Sequence, residues 1–210
     1  MNIEKLYEQA DEIHAAMVEK GFWEDSRPTW KTMMLIEGEL YEAIEGIRKG
    51  KKADLHRFQA NDTMNKSDEH FRAMFDGTLK GSPEMEITDT YIRVLDYIGR
   101  VRAVKYWIAD LPNNFNHYSK AVFESTLHLQ QSAKWSDYFY PHVGVLRAIR
   151  HTAKKIVPAG LEDYETVNQT AYLLRALDLL VEKMDFDLQL FIKIKSRYNK
   201  LRAYKHGKNF

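Results

Sequence analysis

The stretch EMEITDTYIRVLDYIGR, residues 84–100, decides the fold class. At 3.6 residues per turn, its charged residues fall on one narrow stripe, while apolar residues cover most of the remaining circumference. A surface helix normally has a broad polar face. We therefore predict a largely buried helix whose charged line faces inward. The stripe consists of Glu86, Asp89, Arg93, Asp96 and Arg100.

The composition is that of a globular protein without disulfides. The 210 residues are 44% apolar and 29% charged, which suffices for one domain with a sizeable core. The net charge of +1 does not favour nucleic-acid binding through the field of the whole protein. The absence of cysteine excludes disulfides and zinc–thiolate sites. The lack of cysteine also fits a reducing cytoplasm, and we expect a cytoplasmic protein. No apolar run approaches the length of about 20 residues that a membrane helix needs.

Helical periodicity runs through most of the chain, and no segment alternates like a series of strands. We predict a single all-α domain over residues 1–210, folded as a helical bundle. Gly21 is expected to end the first helix and Gly50 the second. The predicted helices lie at about 2–20, 28–49, 84–109, 116–135, 141–156, 162–184 and 187–204, and a polar, less regular segment at 54–82 contains a short helix near 68–76.

Two acid pairs, each with a spacing of three residues, form a candidate metal site. Glu39 and Glu42 share one face of the second helix, and Glu86 and Asp89 share one face of the quoted helix. If the two helices pack antiparallel, the four carboxylates converge. Carboxylates in a partly apolar groove repel one another and need a cation, for which Arg93 and a hard divalent ion such as Mg²⁺ are the candidates.

A single acid pair of this spacing is a weak motif, because an ordinary salt-bridged helix surface also contains such pairs. The metal-site hypothesis depends on finding two pairs, each on a helix whose other faces are largely apolar. Glu37 and Glu45 are expected to point elsewhere, toward the side of Arg48. Further pairs of the same spacing have no assigned role, namely Glu8/Asp11 and Glu182/Asp185.

The C-terminal end forms a basic arm, since no acid follows Asp187 while lysine and arginine recur up to Lys208. Lys195, Asn199 and Arg202 share one helical face. Lysine and arginine bind phosphate oxygens, and asparagine or tyrosine can hydrogen-bond a sugar or a base. A solvated basic helix end, favoured by the helix dipole, and a patch that binds nucleic acid are the alternatives.

Taken together, these segments resemble the MazG-like all-α nucleoside triphosphate pyrophosphohydrolases, a superfamily that includes dimeric dUTPases and dCTPases. ELYE (39–42) and EITD (86–89) followed by YIRVLD are similar to its ExxE…ExxD pattern. GFWED (21–25) resembles the opening of compact members, and KSRYNKLRAYKHGKNF (195–210) resembles their C-terminus closely. The resemblance implies a MazG-like core at 1–104 plus 185–210 and an insertion of helices at about 105–184 that compact members lack.

The resemblance also implies a role for each matching residue. Glu39, Glu42, Glu86 and Asp89 match the ligands of Mg²⁺, for which Mn²⁺ can substitute. Arg93 and Asp96 are expected to contact and orient these ligands without binding the metal ion themselves. Trp23 lies where an aromatic ring could stack on a base, although a core or hinge position fits it equally well. The residues matched to the end that contacts phosphate and nucleotide are Lys195, Tyr198, Asn199, Arg202, Lys205, His206 and Lys208.

The reaction implied is (d)NTP + water → (d)NMP + pyrophosphate. Glu42, or Glu39 in its place, would orient the attacking water and accept its proton. The basic arm would stabilise the departing pyrophosphate. We expect a house-cleaning or pool-controlling enzyme that forms a homodimer or a higher homo-oligomer unless the insertion replaces a subunit. The competing hypotheses are a catalytically inactive nucleotide-sensing or partner-binding helical module and a nucleic-acid-binding protein that uses residues 193–208.

Overall fold

The computed structural model describes residues 3–24, 28–103 and 164–204. No strand occurs within these ranges, so the all-α prediction is confirmed for the described part of the chain. None of the described helices has the length and hydropathy needed to cross a bilayer. The predicted helices at 116–135 and 141–156 lie outside the described residues. The described helices are α1 (Ile3–Glu19), α2 (Thr29–Arg48), α3 (Leu55–Ala60), α4 (Asp68–Thr78), α5 (Pro83–Ala103), α6 (Tyr164–Met184) and α7 (Leu188–Lys200), and a 3₁₀ turn covers Thr63–Asn65.

Helix α5, which contains the whole of the quoted stretch, lies at the centre of the bundle. It contacts α1, α2, α6 and α7. The main core forms around it and includes Ile36 and Leu40 of α2, Leu95 of α5 and Leu177 of α6, each at most 4% exposed. This position explains why apolar residues encircle most of α5, because each face of the helix meets a neighbour.

Helices α2 and α5 run antiparallel. A Cβ added to Gly46, near the end of α2, would lie 3.0 Å from the carbonyl oxygen of Gly81, just before α5 begins. Farther along the contact, Arg93 Nε donates a hydrogen bond of 2.6 Å to Glu39 Oε1. The end of α2 therefore lies beside the beginning of α5, and the two acid pairs face a common groove.

A second, smaller core holds α7 against α3, α4 and the start of α5. Asp187 begins α7 by accepting a hydrogen bond of 3.0 Å from the backbone N–H of Leu190. Segment 54–82 is more regular than its polar composition predicts, because it supplies aromatic side chains to this core. The enclosed rings are Phe58, Phe71, Phe75 and Phe191, each at most 1% exposed.

The predicted helix ends at Gly21 and Gly50 are confirmed. Helix α1 ends at Glu19 and α2 at Arg48, and the two glycines that follow have φ angles of +79° and +66°. Residues with a side chain rarely adopt this left-handed conformation, which glycine adopts without a steric penalty.

Glu37 and Glu45 have different surroundings. Glu45 pairs with Arg48 at 2.9 Å as expected, whereas Glu37 is only 7% exposed. Glu37 follows Met33 by four residues and precedes Leu40 by three, and both of these neighbours belong to the main core. Helical geometry therefore places Glu37 beside two core positions, on the side of α2 that also bears Arg48 about three turns later.

Helix α6 packs within the main core, although the sequence assigns it to the insertion. Leu173, Leu174 and Leu177 are at most 1% exposed, and the Tyr91 hydroxyl on α5 donates a hydrogen bond of 3.1 Å to Asp178 Oδ1. The remainder of the predicted insertion, up to residue 163, lies outside the described residues.

Candidate functional site

Carboxylates from α2 and α5 meet in the groove between the two helices. Glu39, Glu42 and Glu86 each offer one oxygen, and these oxygens lie within 4.8 Å of one another. Asp89 is one turn further along α5 and lines the same cavity as the other three. Glu86 is buried, Glu39 and Asp89 are half-buried, and Glu42 is exposed. All four predicted ligands therefore lie together.

Burial disfavours the ionised forms of the two α5 carboxylates of this acid cluster, Glu86 and Asp89. Burial raises the pKa of Glu86 to about 8, with the charges of Asp89, Glu39 and Glu42 adding to the shift and Lys195 opposing it. Burial also raises the pKa of Asp89, against the opposing effect of Lys195. A divalent cation would favour the ionised forms and so reverse this effect.

The donor set fits a hard divalent cation. Mg²⁺ prefers oxygen ligands. The oxygens of Glu39, Glu42 and Glu86 lie within 4.8 Å of one another, so one hard cation could be held by several of them. The cluster contains neither the histidine nor the cysteine that zinc prefers. Glu39, Glu42, Glu86 and Asp89 are thus chemically suited to hold Mg²⁺.

Two cationic side chains neutralise part of the cluster. Arg93, one turn after Asp89 on α5, forms its 2.6 Å hydrogen bond with Glu39. Lys195, on α7, pairs its Nζ with Asp89 Oδ2. The Lys195 side chain is only 11% exposed, and the second core fixes the helix that carries it.

The cluster lines a cavity of about 280 Å³, close to the lower end of the range of about 300–1,000 Å³ that is typical of small-molecule sites. Lys195 and Arg202 contribute positive charge to its lining, and Met17, Phe22 and Ile92 contribute apolar surface. The cavity therefore combines acidic, basic and apolar groups, as a site for a charged ligand with an apolar part requires.

Asn199 lies where this cavity adjoins a second one of about 480 Å³ between α1 and α7. Asn199 is 8% exposed, and its Oδ1 atom has no hydrogen-bond partner among the described residues. Buried acceptors are normally satisfied, so this oxygen is suited to a donor on a ligand. The neighbouring Tyr198 lines the first cavity, and its ring stacks on Phe75 with the centroids 4.0 Å apart.

Trp23 is bonded to α5 and is not part of the cavity lining. Its Nε1–H donates a hydrogen bond of 2.9 Å to Asp96 Oδ1, and His14 Nδ1 lies 2.8 Å from the same oxygen. These contacts favour the core or hinge position for Trp23. Asp96 lines the cavity, but its described hydrogen bonds go to Trp23 and His14. Arg93, in contrast, is hydrogen-bonded directly to the predicted ligand Glu39.

Part of the basic arm is engaged within the protein. Arg197 donates hydrogen bonds to the carbonyl oxygens of Met64 and Lys66, at 2.6 and 2.9 Å, and pairs with Asp68 at 3.0 Å. Together with the Lys195–Asp89 pair, these contacts hold α7 on the bundle. The predicted substrate contacts that lie outside the described residues are Lys205, His206 and Lys208.

Sequence reasoning missed several residues of the cavity lining. Phe22 stands beside Trp23 in GFWED, and no periodic pattern distinguishes which of the two aromatic rings faces the cavity. Lys80 follows α4 in a turn before α5, where only the tertiary packing brings it to the cavity. Met17 is a helical apolar residue of a type that usually belongs to a core.

Comparison of the chain with protein-family models, with curated proteins and with solved structures finds no match. A function is therefore proposed from the geometry of the site and the pattern of its residues.

Proposed function

We propose that the chain is a Mg²⁺-dependent nucleoside triphosphate pyrophosphohydrolase with a MazG-like helical core, which converts a (d)NTP and water into (d)NMP and pyrophosphate. The main support is that carboxylates of two antiparallel helices and cationic residues of the basic arm line one cavity. Mg²⁺, or Mn²⁺ in its place, would supply charge neutralisation and Lewis-acid activation when bound. The residues that would hold it are Glu39, Glu42, Glu86 and Asp89.

The exposure of the two α2 carboxylates supports Glu42 as the general base. Glu39 is half-buried and accepts a hydrogen bond from Arg93. Glu42 is the exposed member of the cluster, where water can reach it. We assign Glu42 as the residue that orients the attacking water and accepts its proton, with Glu39 as the alternative.

The cavity lining suggests how the nucleotide is oriented. Lys195 and Arg202 would bind phosphate oxygens and stabilise the charge that develops on the departing pyrophosphate. The apolar residues Phe22 and Met17 would contact the nucleoside. Asn199 Oδ1, which is buried, would accept a hydrogen bond from a sugar hydroxyl or a base N–H.

A pyrophosphate-release screen with Mg²⁺ over standard, modified and deoxy nucleoside triphosphates tests the proposal. The wild type should release pyrophosphate from at least one of them, and Glu42→Gln should lower kcat at least about 100-fold while the helical circular-dichroism signal persists. Glu45→Gln is the matched control, because Glu45 lies on the same helix but pairs with Arg48 at the surface. Folded wild-type protein that turns over no nucleotide would refute the enzymatic proposal.

The same screen separates the competing hypotheses. Tight binding of Mg²⁺ and nucleotide without turnover would favour the nucleotide-sensing or partner-binding module. A nucleic-acid-binding protein would instead show binding that weakens steeply with salt. Arg197 is engaged in contacts with Met64, Lys66 and Asp68, which leaves fewer cations of the arm for a phosphate backbone.

We further propose that the protein is cytoplasmic and forms a homodimer or a higher homo-oligomer. Trp30, Met34 and Tyr41 share one face of α2, and they are 40%, 53% and 55% exposed. Apolar surface of this kind is common where subunits meet. Light scattering on the purified chain should give a mass above that of one chain. A monomeric mass would refute the oligomer and would fit the alternative that the insertion replaces a subunit.

A further inference from the structure

Glu39 and Asp89, two of the candidate ligands, are each paired with a cationic side chain of the protein. Arg93 Nε donates to Glu39 Oε1 at 2.6 Å, and Lys195 Nζ pairs with Asp89 Oδ2. The carboxylates of both pairs are well enclosed, at 13% side-chain exposure for Glu39 and 14% for Asp89. These pairs are therefore shielded from the solvent screening that weakens surface ion pairs.

A buried carboxylate needs a counter-charge whether or not a metal ion is bound, because desolvation disfavours an isolated ion. A guanidinium or ammonium on a carboxylate oxygen takes up some of its acceptor positions and repels a divalent cation nearby. A protein cation and a metal ion therefore compete for the same oxygens.

We infer that Arg93 and Lys195 are resident counter-ions of the acid cluster, which a divalent cation must displace from Glu39 and Asp89 and which then turn to the substrate phosphates. This inference rests on the proposed function. Both side chains line the same cavity as the four acids, so the exchange requires rotation of two long side chains and leaves the helices in place.

This exchange couples the binding of metal and nucleotide. A divalent cation on the carboxylates frees two positive side chains for phosphate oxygens, and phosphate that holds those side chains leaves the carboxylates open to the cation. Each ligand therefore strengthens the binding of the other by the same factor.

Mn²⁺ binding without nucleotide, followed by electron paramagnetic resonance, tests the inference. Arg93→Met should bind Mn²⁺ about tenfold more tightly than the wild type, since the competitor for Glu39 is gone. If Arg93 only orients Glu39 as a ligand, the same substitution should weaken Mn²⁺ binding. The sign of the change decides between the two roles, and an unchanged or weaker affinity would overturn the inference.

Two controls separate displacement from a general loss of positive charge. Arg202→Met removes a cation that lines the cavity but whose guanidinium lies over the ring of Tyr198, 6.0 Å from its centroid. Arg48→Met removes a surface cation paired with Glu45. Both should change the Mn²⁺ affinity less than about threefold, because neither cation is bonded to the cluster. Changes as large as that of Arg93→Met would contradict displacement.

A second readout is the coupling itself. With a non-hydrolysable α,β-imido nucleoside triphosphate, Arg93→Met should show a smaller mutual strengthening of Mn²⁺ and nucleotide binding than the wild type.

If Arg93→Met does not fold, Arg93→Gln provides the same comparison with a polar side chain. If neither the wild type nor any variant binds Mn²⁺, the proposed function fails. If the wild type binds Mn²⁺ and the Arg93 variants bind it no more tightly, only the counter-ion inference fails.

Discussion

Glu86 is the buried member of the acid cluster, and its carboxyl group should make the stability of the metal-free protein depend on pH. Burial raises its pKa from 4.5 to about 8. Between these values the folded chain keeps the Glu86 proton while the unfolded chain loses it. The free energy of unfolding therefore has its full value below pH 4.5 and falls as the pH rises to about 8. We expect Glu86→Gln, in EDTA, to unfold near the wild-type temperature at pH 5 and several degrees above it at pH 9.

Thermal unfolding followed by circular dichroism checks this prediction, and Glu45→Gln serves as the control. The hydrogen bond from Lys49 and the charge of Arg48 lower the pKa of the Glu45 carboxyl group, so both folded and unfolded chains hold it ionised across this pH range. Its difference from the wild type should stay constant. A Glu86→Gln difference that is also constant with pH would show that Glu86 ionises normally in the folded chain.

Asn199 provides a second prediction for a single residue. Its buried Oδ1 lacks a partner among the described residues, and removing such a group in favour of an apolar one of similar size costs little stability. We expect Asn199→Leu to leave Tm unchanged or raised and to increase KM about tenfold, since a donor on the nucleotide would lose its acceptor. Steady-state kinetics and thermal unfolding measure both.

The matched control for Asn199→Leu is Gln189→Leu, the removal of an amide from the exposed side of the same helix. Gln189 Oε1 accepts a hydrogen bond of 2.9 Å from Gln9 Nε2 on the surface, and Gln189 lies at the start of α7, before the cavity residues that begin at Lys195. It should leave KM unchanged. If Asn199→Leu lowered Tm by several degrees with KM unaffected, a structural role for Asn199 would replace the proposed substrate contact.

At the scale of helices, the sequence predicts the long elements well because their signals are local. Glycines mark the ends of α1 and α2, and 3.6-residue periodicity places Glu39 beside Glu42 and Glu86 beside Asp89. The Arg93–Glu39 pair depends on how α2 and α5 cross, and the Trp23–Asp96 bond depends on where a loop returns to α5. Such contacts between distant segments have no local signal, so periodicity cannot predict them.

Two helical glycines should respond oppositely to alanine. A Cβ on Gly99 of α5 would lie 2.4 Å from the Ala10 carbonyl oxygen of α1, whereas a Cβ on Gly38 of α2 would meet nothing within 4 Å. Gly99→Ala should therefore destabilise the fold by about 1–3 kcal/mol, since α1 must shift. Gly38→Ala should stabilise it by about 0.5–1 kcal/mol through helix propensity. Urea unfolding measures both, and equal effects would contradict the close α1–α5 packing.

For the molecule as a whole, the candidate site connects parts of the chain that are distant in sequence. Glu39 belongs to α2, Glu86 to α5 and Lys195 to α7, and α5 contacts both of the other helices. The acidic groove exists only when these helices are packed together. A ligand of the groove should therefore bind the folded chain and not the unfolded chain, and it should raise the stability of the entire fold.

Mg²⁺ should consequently raise Tm of the wild-type protein. At a concentration of about 100 times its dissociation constant, a ligand specific for the folded state contributes roughly 2.7 kcal/mol, equivalent to about 5–10 °C for a chain of this size. Differential scanning fluorimetry with Mg²⁺, at ionic strength matched by NaCl, measures the shift, and EDTA should reverse it. Glu42→Gln should lose most of the shift because it removes a cluster oxygen, whereas Glu45→Gln should keep it. An undiminished shift in Glu42→Gln would place Mg²⁺ outside the acid cluster.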